Sequence, residues 1–145
     1  MRQDTRTARL WVLSGLVGLL LMMSAPLLSS GASFNPPRVV AGKISSDQTG
    51  GMRPLTPSEV ATISDWLAQH RSGWTMNVAT SPAGTVYISL DTASQQAALR
   101  LTLWSGPKYP GWNRHVLVEY PARKTILIQS FSDRELAPIL GLVAG

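Results

Sequence analysis

The 145-residue chain has no cysteine and only two histidines. The missing cysteine rules out a disulfide framework, thiol redox chemistry, cysteine-ligated metal sites and a lipid-modified cysteine near the N-terminus. The scarcity of histidine leaves His70, beside a helix end, and His115, on a strand, as the sole imidazoles. His115 and Glu119 share one face of that strand, but four residues of extended chain separate them by about 13 Å. That distance is too long for a hydrogen-bonded acid/base pair. Asp65 reads as a solvated helical acid. The chain also lacks Gly-x-Ser-x-Gly, His-Glu-x-x-His, a phosphate-binding glycine loop and clustered carboxylates. It therefore specifies no catalytic residue, no cofactor and no metal site.

Charge is missing from a long stretch: no charged residue lies between Arg9 and Arg38. Arg2, Arg6 and Arg9 precede residues 10–28 (LWVLSGLVGLLLMMSAPLL), the pattern of an export signal or a membrane anchor. Two readings compete for residues 1–32. A cleavable signal has a basic start, a short apolar centre and small residues before the cut, and Ser30-Gly31-Ala32 supplies such a site ahead of Ser33. An uncleaved anchor needs roughly 20 apolar residues, which residues 10–28 also approach. In both readings the arginines keep the N-terminus in the cytoplasm and send the remainder outside. The expected location is thus a bacterial envelope: periplasmic or secreted after cleavage, or held on the inner membrane with the domain outside the cytoplasm.

The net charge of +5 is modest once the leader is set apart. Three of thirteen cations and one of eight acids lie in residues 1–32, leaving ten cations against seven acids. This excess suits weak attraction to anionic lipid or an acidic partner. With export, it gives no reason to expect nucleic acid.

Residues 33–55 are rich in Pro, Gly and Ser and read as a linker, with room for a short strand over residues 38–44. Residues 56–145 read as one small α+β domain. Thr56-Pro57-Ser58-Glu59 has the form of a capping box with proline at the first helical position, and Leu55 with Val60 forms a hydrophobic staple. Val60, Ile63, Trp66 and Leu67 make an apolar stripe, so a helix is expected from residue 57 to about 72, with Gly73 able to adopt a left-handed turn. Period-two alternation then marks five strands around residues 74–78, 86–90, 99–103, 115–120 and 125–131. Turns between successive strands imply a mostly antiparallel meander with the helix on its apolar face. Ser132-Asp133-Arg134-Glu135 repeats the capping pattern, but Pro138 conflicts with it, so a short or irregular terminal helix ending at Gly141 is expected.

Charge and face set a register. Pairing Leu101 with Val118 places Arg100 opposite Glu119 and Trp104 opposite His115 on the solvent face. The last strand stays ambiguous, because Ile126 with Ile128 and Leu127 with Phe131 are both plausible buried pairs. At one end of the sheet, residues 104–115 (WSGPKYPGWNRH) crowd three aromatics beside two cations. Trp104, Lys108, Tyr109, Trp112, Arg114 and His115 are the candidate binding residues, since Tyr, Trp and Arg most often anchor interfaces. The same stretch also fits a hairpin connection whose aromatics fold back over the core. The outer sheet face, with Tyr87, Trp104, His115 and Leu117, and with Leu127 or Phe131 if the last strand turns them outward, is a second expected contact surface. These readings point to a non-enzymatic module that binds another envelope protein. Two alternatives are an anchored structural subunit of an envelope transport or secretion assembly, and an enzyme with a scattered site.

Overall fold

The structure, a computed structural model, describes residues 31–144. The arginines and apolar run of the leader lie outside the described residues, and among those described no helix is long and apolar enough to cross a membrane. The elements in order are β1 (Ala41–Ser46), β2 (Met52–Pro54), α1 (Pro57–Gln69), β3 (Thr75–Met76), β4 (Val86–Asp91), β5 (Leu99–Leu103), β6 (His115–Tyr120), β7 (Thr125–Ser130) and α2 (Asp133–Leu140). A 3₁₀ turn over Gly141–Val143 follows. The class is α+β, as expected. All strands join one antiparallel sheet in the order β2-β1-β4-β5-β6-β7-β3, seven strands in place of the expected five.

The two additional strands come from residues 33–55, the stretch expected to be a linker. There β1 pairs with β4 along its whole length and with β2 on its other side. Its inward positions are Gly42, Ile44 and Ser46, only one of them a large hydrophobe, so its strand signal is weak; it overlaps the short strand expected over residues 38–44 but starts and ends later. A side chain at Gly42 would meet the Ser89 carbonyl oxygen at 2.7 Å, and glycine is what lets the two backbones approach. Ahead of β1, Phe34 is buried against Trp74 and Tyr120, with ring centroids 5.4 and 5.7 Å away. The Ala32 amide bonds the Trp74 carbonyl at 2.8 Å. The fold therefore takes hold of the chain within a few residues of the apolar run.

Only β4 to β7 form the expected meander. β3 pairs with β7 at the far edge, through Thr75 with Ile128 and Met76 with Leu127, and does not pair with β4. The cause is Trp74, which has no solvent exposure. Its indole donates to the His70 carbonyl at 2.7 Å and its ring lies 5.6 Å from Phe131, which fixes β3 beside the end of β7. Residues 77–85 must then return across four strand spacings, about 19 Å. They cross on the face away from the helices, because Ala83 accepts a hydrogen bond from the outward Trp104 and Gly84 abuts Thr102 and Tyr87. Both edge strands are very short, and β2 ends in Pro54, features that blunt edge-to-edge pairing.

α1 forms as the capping pattern predicts. The Thr56 hydroxyl accepts from the Glu59 amide at 3.3 Å while the Glu59 carboxylate accepts from the Thr56 amide at 2.7 Å. Its buried stripe is Val60, Ile63, Trp66 and Leu67. The helix stops at Gln69, three residues before the expected end. His70 leaves helical geometry, Trp74 takes its carbonyl, and the amide of Phe34 takes the Arg71 carbonyl at 2.6 Å. Gly73 does adopt a left-handed conformation, φ +88°, but as part of the turn into β3. Arg53 clamps this region: its guanidinium meets both Glu59 oxygens at 2.9 and 2.7 Å and donates to the Leu142 carbonyl at 2.8 Å. One fork thus joins an edge strand, a helix start and the chain's last turn.

α2 carries the second capping box, between Ser132 and Glu135, and runs through Pro138 to Leu140. The proline is accommodated because it lies on the exposed face with Arg134, the residue whose carbonyl it leaves unbonded, so water can serve that oxygen. Leu136 and Ile139 face inward, and the Trp66 indole bonds the Glu135 carbonyl at 2.7 Å, tying the helices together. The register of β5 with β6 is the expected one, Leu101 with Val118 and Arg100 with Glu119. β7 resolves its ambiguity: Val118 pairs with Leu127, Leu127 and Phe131 enter the core, and Ile126 and Ile128 lie half-buried on the opposite face.

Candidate functional site

Of the six candidate residues at the loop end, Trp104 is buried, Tyr109, Trp112 and His115 are half-buried, and Lys108 and Arg114 are exposed. Trp104 is 1% exposed, where alternation had placed it on the solvent face. β5 ends at Leu103; beyond it the Trp104 indole donates to Ala83 at 3.1 Å and its ring lies 4.9 Å from Trp112. Trp112 stands in turn 5.8 Å from His115, whose Nδ1 lies 3.3 Å from both the Trp112 and Asn113 carbonyls. Residues 77–85 and 105–113 together roof this part of the sheet. The same roof explains why Leu117, expected outside, is only 7% exposed. Trp104, Trp112 and His115 thus form a packed stack under two segments of chain.

The loop is held at its root and rim. The Ser105 amide donates to the Thr85 hydroxyl at 2.8 Å, and the Asn113 side-chain amide donates to the Gly106 carbonyl at 3.0 Å. Gly106 has φ +87°, which its lack of a side chain permits. Arg114, exposed, takes φ +71° and sets its Nε 3.0 Å from Asp133 Oδ1. That pair joins the loop to the start of α2, and at such exposure it contributes at most about 1 kcal/mol.

Lys108 is exposed and Tyr109 beside it is half-buried. The Lys108 ammonium lies 3.4 Å from Asp47 Oδ2 and 5.5 Å from the Tyr109 ring centroid. Lys108 and Asp47 border two adjoining clefts between the loop and the β1–β2 hairpin. One, of about 210 Å³, reaches Thr85, Ser105 and Val143. The other, of about 560 Å³, lies between Met52 and Tyr87 over a floor that includes Ser45 and Ser46. Met52 is 65% exposed and Tyr87 41% exposed. Sequence reasoning picked out Tyr87 from its outward position on β4. It missed Met52 and Asp47, since the short strand allowed for over residues 38–44 stops before both of them and carried no pairing to bring them beside the loop.

The two histidines are held in packing. His70 Nδ1 contacts the Trp66 carbonyl at 2.7 Å, its ring stacks 4.5 Å from Trp66 and 5.1 Å from Phe131, and its Nε2 is 3.9 Å from Glu135. Neither histidine borders the loop-end clefts. Among the described residues no three His, Asp or Glu side chains gather as metal ligands would. Comparison of the chain with family models, with curated proteins and with solved structures finds no match.

Proposed function

We propose that this protein is a non-enzymatic binding module of a bacterial cell envelope, exported or tethered through residues 1–32, that contacts another envelope protein at the loop end of its sheet. The observation that carries this reading is the exposed pair Met52 and Tyr87 flanking a cleft bordered by Lys108 and Asp47. An aromatic and a methionine beside a charged rim make a combination enriched at protein interfaces. Tyr109 extends the same rim. The tryptophans serve a different purpose in this reading: Trp104, buried, and Trp112, half-buried against it, hold the loop in place so that Lys108 and Tyr109 are presented in one geometry. Replacing Tyr87 and Tyr109 by Ala, and Lys108 by Glu, followed by affinity capture from solubilised envelopes, tests it. The variants should lose the partner that the wild type and a helix-face control, Asp65→Ala, retain. Equal recovery by all forms, with the fold intact, would contradict it.

A second reading, an anchored subunit of an envelope assembly, draws support from the N-terminal segment. Ala32 and Phe34 are bonded into the domain, so a retained apolar run would hold the domain close to the membrane with little free spacer. A native mass beginning at Met1 with detergent-dependent extraction supports this form. A mature N-terminus at Ser33 defeats it.

A further inference from the structure

The opposite end of the sheet carries a cleft that the loop-end reading does not use. It has a volume of about 680 Å³, within the range that accommodates small organic ligands. It is an open cleft bordered by three segments distant in sequence: the chain entering β1, the β4–β5 turn and the β6–β7 turn. Arg38 comes from the first, Thr92, Ser94 and Gln95 from the second, and Tyr120 and Arg123 from the third. No acidic side chain lines it. Among the described residues neither Arg38 nor Arg123 has a carboxylate within 4 Å.

The walls are held in place by their own bonds. The Arg123 guanidinium lies 5.5 Å from the Tyr120 ring centroid, and the Tyr120 hydroxyl donates to the Asn35 carbonyl at 3.2 Å. Burial pushes the Tyr120 phenol above its ordinary value against the opposing charge of Arg123, so the ring stays neutral near pH 7. In the β4–β5 turn the Gln95 amide donates to the Thr92 hydroxyl at 3.1 Å, and the Asp91 carboxylate accepts from the Ala97 amide at 2.7 Å. Asp91, the acid of that turn, is thereby bonded locally. Two guanidinium forks, two hydroxyls and a side-chain amide around one volume match the several oxygens of a phosphate group. The volume and the Tyr120 ring leave room for an organic body attached to it.

We infer that this cleft binds a phosphate ester, whose phosphate is held by Arg38 and Arg123 and whose organic part lies against Tyr120. The ester is either a lipid headgroup or a soluble phosphate ester, two sources of one chemistry. The test is calorimetric titration of the full chain in a nonionic detergent with two probes, dihexanoyl phosphatidylglycerol and glycerol 3-phosphate. Saturable binding of at least one probe is expected, with Arg38→Gln and Arg123→Gln each weakening it by about tenfold or more. Lys43→Gln, on an exposed position of β1, should bind as the wild type does. Binding of the lipid alone assigns a headgroup, and binding of glycerol 3-phosphate assigns a soluble ester. Arg38 is exposed, so its variant carries the test should Arg123→Gln disturb the packing around Tyr120. Absence of binding by both probes overturns the inference. So does unchanged affinity in Arg38→Gln, or an equal loss in Lys43→Gln. None of these outcomes bears on the loop-end surface, whose partner is read out separately.

Discussion

Replacing Glu59 by Gln should cost stability at neutral pH and cost nothing in strong acid. Its side chain is 17% exposed and is held by both nitrogens of the Arg53 fork. The Arg53 hydrogen bond, then the Thr56 backbone amide, hold the carboxyl at about 2 against an ordinary value of 4.5, with desolvation opposing them. Taken at face value, a depression of this size corresponds to about 3 kcal/mol. The Arg53 side chain is exposed enough to admit water and salt, which reduces the expected contribution to about 1 kcal/mol or less. The sign follows from the direction of the shift: the folded state binds the proton less tightly than the unfolded chain. Stability is therefore fully present above pH 4.5 and is lost as pH falls from 4.5 toward 2. Glutamine keeps an oxygen for the Thr56 amide, so the substitution removes charge while sparing the cap. Urea denaturation followed by tryptophan fluorescence, at steps from pH 7 to pH 2, should show the variant up to about 1 kcal/mol less stable at pH 7 and converging on the wild type near pH 2. A difference that persists unchanged at pH 2, or no difference at pH 7, refutes the reasoning.

The unequal burial of the loop residues predicts unequal costs. Trp104→Ala, at a buried position, should destabilise the fold by about 3–5 kcal/mol, and Tyr109→Ala, at a half-buried one, by about 1 kcal/mol or less, both read from denaturant midpoints. Equal effects would place both side chains in one environment. Gly84→Ala should cost about 1–3 kcal/mol, because the added carbon collides with Thr102 beneath the crossing segment; an unchanged melting temperature would mean that residues 77–85 do not lie against the sheet.

What the sequence disclosed depended on how local the determining interaction is. The caps of α1 and α2 are satisfied within four residues, and the Leu101–Val118 register follows from alternation on two neighbouring strands, so both were legible. The position of β3 was not, because it is fixed by Trp74 reaching His70 and Phe131 rather than by the turn that follows it. β1 buries a glycine and a serine beside a single isoleucine, a pattern that resembles linker composition. The misplacement of Trp104 has the same origin. Alternation assigns it correctly to the face away from the helices, but the segment that roofs that face comes from elsewhere in the chain. The candidate region was chosen from sequence, and the contrast between the buried Trp104 and the exposed Lys108 required the tertiary structure.

Photocrosslinking in living cells tests the central claim most directly. A photoreactive amino acid placed at position 87, beside Met52 and Lys108, should yield a discrete adduct with one envelope protein. The same group at position 61, on the exposed side of α1, should yield none. No adduct from position 87, or the same adduct from both positions, would contradict the assignment of the loop end as the surface through which this protein acts.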